Sequence, residues 1–141
     1  MWSTLSYIYT EEGRQNFYNW QRDHTNKVII LDEANFYRYP KSFRKEYLGE
    51  NEKYKMKVTR DWKLNGNVKD TDFIYELTDK VTGKMETIND AEKEEYVSVE
   101  KIQDYLGNEW KLQYLLGDYD LNTPFDKENS SRIISVFFKN S

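Results

Sequence analysis

The chain has 141 residues, which is the size of one ordinary domain. Only 38% of the residues are apolar, but 16% are aromatic, and these large rings can build a core. It contains no cysteine, which excludes disulfides and thiolate metal sites. The net charge of −4 is uneven, since residues 1–67 carry +3 and residues 68–141 carry −7. This asymmetry indicates either a charged partner or pairing between the two halves.

The first part of the chain predicts two strands and two helices. Alternating apolar residues indicate an extended segment from Ser3 to Tyr9. Thr10 suits the N-cap of a helix over residues 11–23, whose first turn holds two glutamates at the positive end of the helix dipole. The apolar run Val28–Leu31 predicts a buried strand. Proline at its first position and glycine after its end favour a helix over Pro40–Leu48.

From Glu52 the apolar residues recur with a period of two, as in a strand with one wet face. This pattern predicts a strand over residues 54–64 that ends at the Asn65-Gly66 turn. A second strand is predicted over Asp72–Thr78, and a turn at Thr82-Gly83 returns the chain as a hairpin.

The last part of the chain predicts one more helix and two more strands. The acidic segment Asn89–Glu95 fits a helical turn. Ser98 suits the cap of a helix over Val99–Leu106, which is followed by a glycine. Trp110–Leu116 alternates as a strand, and the almost continuously apolar Arg132–Lys139 predicts a central strand that is buried on both faces.

Short connections between the middle strands favour antiparallel pairing. We therefore expect a single α+β domain over residues 1–141, with one antiparallel sheet of four to six strands and two or three helices packed mainly on one face. The first nine residues lack the basic and apolar regions of a signal peptide, and the longest apolar run is too short for a membrane span. These features predict a cytoplasmic protein that does not contact a membrane.

Few residues suit catalysis or metal binding. The one histidine, His24, lies at the predicted end of the first helix, where a cation is favourable, and the chain has no cysteine or G-x-S-x-G serine for it to activate. Asp70 with Asp72 and Asp118 with Asp120 offer paired oxygens to a hard cation, but both pairs flank predicted turns, where aspartate is common. No glycine-rich phosphate loop is present. We expect no catalytic residue, no cofactor and no metal.

The segment from residue 36 to residue 60 is basic and aromatic, with a net charge of +5. Its cations are Arg38, Lys41, Arg44, Lys45, Lys53, Lys55, Lys57 and Arg60. Cations bind phosphates and rings stack on unpaired bases, so the mixture suits a nucleic-acid surface. The same lysines would also suit a solvent-facing or edge strand, and a pI near 5.2 is unusual for a dedicated nucleic-acid binder.

The segment from residue 86 to residue 100 is acidic, with a net charge of −5. Together with nearby tyrosines and a further acid it forms a candidate surface for a protein partner that carries basic groups. The members of this acidic set are Glu92, Glu94, Glu95, Tyr96, Glu100, Asp104 and Tyr105. The alternative is a solvated loop and helix face.

These observations predict a non-enzymatic inhibitor of the immunity or phage anti-defence type, which docks a charged, tyrosine-rich surface on a host or toxin protein. A nucleic-acid-binding or phage accessory module that uses the basic segment is the alternative. A carboxylate-only enzyme is a third class that the residues leave open.

Overall fold

The computed structural model describes residues 5–141. Its helices and strands are α1 (Glu11–His24), β1 (Val28–Ala34), β2 (Ser42–Glu50), β3 (Tyr54–Asn65), β4 (Val68–Asp79), β5 (Met85–Glu95), α2 (Val99–Leu106), β6 (Trp110–Leu116) and β7 (Arg132–Lys139). The chain divides into two compact units, of which the second is Pro40–Glu94 and the first contains the remainder. Neither helix in residues 5–141 is long and apolar enough to cross a bilayer.

The first unit contains α1, α2 and a three-stranded sheet in the order β1-β7-β6. As predicted, the Thr10 side chain caps α1 by accepting a hydrogen bond from the Gly13 amide at 3.0 Å, and Ser98 caps α2 in the same way. Both β1 and β6 are antiparallel to β7, so these two outer strands run parallel to each other.

Both helices pack on the same face of this sheet. Ile29 and Phe137 are directly opposite each other in the β1–β7 ladder, and they form one buried cluster with Tyr18 of α1 and Ile102 of α2. Phe137 is fully buried, and burial of such a side chain contributes about 1.5–3 kcal/mol. On the opposite face Ile30 is 64% exposed although it lies in the middle of β1.

The second unit is a four-stranded sheet in which consecutive strands are neighbours, in the order β2-β3-β4-β5. The antiparallel register places Phe43, Trp62 and Thr71 in one row across β2, β3 and β4. Because side chains alternate along a strand, one face carries most of the aromatic residues and the other carries most of the charges. The members of the aromatic face include Phe43, Tyr47, Tyr54, Trp62, Phe73 and Tyr75.

The expectation of one sheet is wrong, because the seven strands of residues 5–141 form two separate sheets of three and four strands. The helix expected over Pro40–Leu48 is instead strand β2, since nine consecutive residues pair with β3 and this pairing outweighs the helical propensity of the segment. The helical turn expected over Asn89–Glu95 is part of β5. The strand expected over Ser3–Tyr9 begins outside the described residues, and Leu5–Tyr7 forms a 3₁₀ helix.

Candidate functional site

The carboxyl ends of β1 and β6 lie at the same edge of the first unit's sheet, because the two strands run parallel, and β7 begins there. Polar and aromatic side chains collect at this edge, and we call them the strand-end cluster. Its members are Asp32, Glu33, Asn35, Tyr37, Tyr119, Lys127 and Arg132.

Asp32 and Arg132 form the charged part of the strand-end cluster. Two parallel hydrogen bonds of 2.8 and 2.7 Å join the Arg132 guanidinium to the two carboxylate oxygens of Asp32. The Tyr119 hydroxyl also donates to Asp32, and the Arg132 guanidinium lies over the Tyr119 ring. The hydrogen-bonded carboxylate of Asp32 raises the pKa of Arg132 above its usual range. This bidentate geometry fixes both side chains across the β1–β7 ladder.

Asn35 holds the loop between β6 and β7 against the end of β1. The side chain is buried, and its amide donates to the carbonyl oxygens of Lys127 and Ser130 at 3.0 and 2.7 Å. Its carbonyl oxygen accepts from the Tyr37 amide, which begins the 3₁₀ helix Phe36–Arg38. One side chain therefore positions both the loop and the Tyr37 ring.

A cavity of about 60 Å³ lies beside these strand ends. Aromatic and apolar side chains form most of its wall, and Ser98 and Glu100 at the start of α2 contribute the polar part. The lining residues are Phe36, Tyr37, Val97, Ser98, Val99, Glu100, Leu115, Phe125 and Ile133. The Lys127 ammonium lies 4.5 Å from the centre of the Tyr37 ring, on the side of a larger open groove that Tyr37 also lines.

Glu33 is a buried carboxyl group close to this cavity. It is 4% exposed and lies directly opposite Ile133, whose side chain lines the cavity wall. Burial, and to a lesser extent the negative charge of Asp32, raise the pKa of Glu33 to about 7. Burial and the charges of Glu100 and Glu33 also raise the pKa of the Tyr37 hydroxyl. Glu33 is therefore poised to gain or lose a proton near neutral pH.

The acidic set of the sequence analysis does not form one exposed surface. The buried Tyr96 ring stacks on Phe36, and the buried Tyr105 ring stacks on Tyr18. Glu95 bonds to Arg14 at 2.9 Å, and Glu94 forms a nearly buried ion pair with Lys69 at 2.7 Å.

The remaining members of the acidic set differ in their surroundings. Glu92 is half-buried on β5, whereas Glu100 and Asp104 are exposed on α2. Glu100 alone of the set lines the strand-end cavity.

The basic segment is divided between the two faces of the second unit's sheet. On one face Arg44 pairs with Asp61, and Lys57 pairs with Glu46 and Glu76. On the other face the cations lie over rings of the aromatic face, with Lys45 over Tyr47, Lys53 over Tyr54 and Arg60 over Phe73. Lys41 and Lys55 are exposed, and Arg38 belongs to the first unit, where it lines the open groove. The segment thus gives no single basic surface.

The remaining candidate residues have local roles. His24 lies exposed at the end of α1 with its ring stacked on Trp20. Asp120 accepts from the Asn122 amide and the Thr123 hydroxyl, as expected of a turn aspartate. Asp70 and Asp72 lie within β4, and residues 5–141 contain no group of three or more acids or histidines that could hold a metal ion.

Sequence reasoning missed most of the strand-end cluster, although a signal was present. Asp32, Glu33 and Asn35 directly follow the apolar run Val28–Leu31, so polar side chains are placed where a buried strand ends. The contributions of Lys127 and Arg132 depend on which strands become neighbours, and the local pattern does not contain this information.

No known protein family matches the sequence, and no curated protein resembles it significantly. Solved structures do match its fold. The amino pentose methyltransferase CalS10 from Micromonospora echinaspora matches 99% of this chain and 56% of its own, with a TM-score of 0.66 and 9% identity. The sugar N-methyltransferase KedS8 from Streptoalloteichus matches 96% and 53%, with a TM-score of 0.68 and 11% identity.

An S-adenosylmethionine-dependent methyltransferase from Clostridium acetobutylicum matches 99% of this chain and 56% of its own, with a TM-score of 0.64 and 12% identity. The chain therefore has a methyltransferase-like fold and spans a little over half the length of these structures. The inhibitor hypothesis, with its immunity and anti-defence roles, is wrong, because the fold match is to enzymes. The same finding contradicts the expectation of a non-enzyme, and the nucleic-acid alternative gains no support.

Proposed function

We propose that the chain forms the acceptor-binding part of a methyltransferase that uses S-adenosylmethionine and methylates an amine. The observation that carries the proposal is the fold match along 96–99% of the chain to structures named as methyltransferases. One of these is named for N-methylation of a sugar and another for an amino pentose. The sequence identities to these structures are 9–12%.

The strand-end cavity supports an amine acceptor on physical grounds. The described residues that line it include the Glu100 carboxylate and three aromatic rings, but no lysine or arginine. Carboxylates attract an ammonium group, and the faces of aromatic rings attract cations as well. Glu33 adds a second carboxyl group close to the wall. A cationic acceptor therefore fits this cavity better than an anionic one.

The proposal assigns acceptor binding, and not cofactor binding, to this chain. S-Adenosylmethionine does not fit the strand-end cavity, because its volume of about 60 Å³ is far smaller than the roughly 300–1,000 Å³ of usual ligand pockets. Within residues 5–141, β1 has a neighbouring strand on one side only. This apolar edge, with the exposed Ile30, suits pairing with further polypeptide.

A pair of sugars that differ in one group tests the acceptor site. We expect D-glucosamine, with its amine in the cavity and its ring in the open groove that Tyr37 also lines, to shift the backbone amide NMR signals of Tyr37, Ser98 and Glu100. D-Glucose, which has a hydroxyl in place of the amine, should leave them in place. Equal shifts with both sugars, or shifts confined to the second unit, would contradict an amine site at the strand ends.

A further inference from the structure

Glu33 is a buried carboxyl group that forms no ion pair with a lysine, arginine or histidine of residues 5–141. Burial and the negative charge of Asp32 raise the pKa of Glu33, and no lysine or arginine of residues 5–141 lowers it. A buried carboxylate without a cation is costly, and the group then keeps its proton instead. The protonated Glu33 side chain is neutral and therefore needs no positive partner.

Three cations of the first unit, Arg132, Lys127 and Arg14, have partners other than Glu33. Arg132 is held by both oxygens of Asp32, and the Lys127 ammonium lies over the Tyr37 ring. On α1, Arg14 is occupied by Tyr105, Glu11 and Glu95. The protein thus contains a carboxyl group next to the cavity, and none of these three cations is paired with it.

We propose that Glu33 releases its proton to solvent when the ammonium group of an acceptor enters the strand-end cavity, so that acceptor binding and deprotonation of Glu33 are coupled. This inference rests on the proposed function and adds a proton-linked control of the same site. The ammonium contacts Glu100, and its positive charge stabilises the carboxylate of Glu33 behind the Ile133 wall.

The other charged and titratable groups around Glu33 fix the sign of the effect. Asp32 on β1 opposes ionisation of Glu33, and Tyr18 on α1 and Tyr37 after β1 interact with its charge. Burial raises the pKa of both tyrosines above the ordinary value of 10, so their hydroxyls keep their protons between pH 6 and pH 8. Glu33 is then the group whose charge changes most in this interval.

Methylammonium is a suitable probe because it is small and keeps its charge through this pH range, as a lysine ammonium does. With a pKa of about 7, the ionised fraction of Glu33 increases roughly tenfold between pH 6 and pH 8. We therefore expect the wild-type chain to bind methylammonium up to roughly tenfold more tightly at pH 8 than at pH 6. We also expect methylammonium to lower the pKa of Glu33, which can be measured by following the NMR signal of the Glu33 side-chain carboxyl carbon as a function of pH.

Two variants and a neutral probe complete the experiment. Glu33→Gln should remove the pH dependence of methylammonium binding, whereas Glu12→Gln, at an exposed position on α1, should retain it. Methanol, the neutral counterpart of the probe, should leave the titration of Glu33 unchanged.

The outcomes separate the two proposals. Binding at the cavity with an unchanged Glu33 titration and equal affinity at both pH values would overturn the inference and leave the amine site standing. If methylammonium shifts no signal of the cavity residues, the acceptor site itself is wrong, and the inference is overturned with it. The titration of the wild-type chain decides the question even if Glu33→Gln does not fold.

Discussion

Single side chains determine the shape of the strand ends, and Asn35 is the clearest case. Replacing it with alanine removes two hydrogen bonds to the carbonyl oxygens of Lys127 and Ser130 and one from the Tyr37 amide. Since backbone groups left without partners in a part-buried site cost about 1–3 kcal/mol, we expect Asn35→Ala to lower the free energy of unfolding by that amount. Urea denaturation measures the loss.

An asparagine in the loop between β6 and β7 provides the control. The side chain of Asn122 is exposed and makes none of these contacts, so Asn122→Ala should change the unfolding free energy by less than about 0.5 kcal/mol. Equal losses for the two variants would show that Asn35 does not anchor the loop.

Gly117 is another residue on which the loop depends. A β-carbon at this position would collide with the Ser130 hydroxyl and lie 2.9 Å from the Ser130 β-carbon. Ser130 cannot easily yield, because its hydroxyl accepts from the Asp126 amide and its carbonyl accepts from Asn35. We expect Gly117→Ala to cost about 1–3 kcal/mol in thermal or urea unfolding.

The matched control is a glycine with open space around it. No atom lies within 4 Å of a β-carbon added to Gly49 in β2, so Gly49→Ala should be neutral or stabilise the chain by up to about 1 kcal/mol. Equal changes in unfolding free energy for Gly117→Ala and Gly49→Ala would show that the loop can accept a β-carbon at residue 117, and that Ser130 does not restrict this position.

At the scale of elements, a buried ion pair joins two neighbouring strands of the second unit. The Lys69 side chain on β4 and the Glu94 side chain on β5 are only 6% and 11% exposed and lie 2.7 Å apart. Lys69→Met keeps an apolar stem beside the Trp62 ring but leaves a buried carboxylate without its cation, at a cost of about 3–5 kcal/mol.

A double-mutant cycle isolates this interaction from other effects. Lys69→Met combined with Glu94→Gln should lose much less stability than the sum of the single losses. The exposed pair Lys84–Glu86 should show a coupling of less than about 1 kcal/mol. Additive losses at Lys69 and Glu94 would indicate that the ion pair is not what stabilises these strands.

The elements differ in how far the sequence predicts them. The boundaries of α1 and α2 follow from the caps Thr10 and Ser98, because capping is a local interaction between residues three apart. Strand β2 could not be predicted in the same way, since Pro40 and Gly49 favoured a helix and the conformation of the strand depends on the ladder with β3.

At the scale of the whole molecule, the sequence does not reveal that the strands belong to two sheets. The insertion of Pro40–Glu94 between β1 and α2 separates strands that are neighbours in the first sheet, such as β1 and β7. The charge counts of the basic and acidic segments did not reveal charged surfaces, because Lys57 and Glu94 form ion pairs with residues on adjacent strands. The candidate site depends on these distant pairings, so its Asp32–Arg132 bridge could not be anticipated.

The free energy of unfolding should depend on pH through the titration of Glu33. The folded-state pKa of about 7 lies above the ordinary value of 4.5, so the folded state binds more protons than the unfolded state between these values. The contribution of Glu33 to stability is therefore fully present below about pH 4.5 and is lost as the pH rises through 7. A difference of this size corresponds to about 3 kcal/mol.

Glu33→Gln replaces the carboxyl group with an amide that stays neutral at every pH. Relative to the wild type, the variant should gain up to about 3 kcal/mol in unfolding free energy between pH 5 and pH 8, measured by urea denaturation at both values. Glu12→Gln, at an exposed position, serves as the control and should follow the wild type. Parallel pH curves for the wild type and Glu33→Gln would mean that water or a cation reaches this carboxyl group, and the buried, protonated Glu33 on which the proton-linked site depends would be excluded.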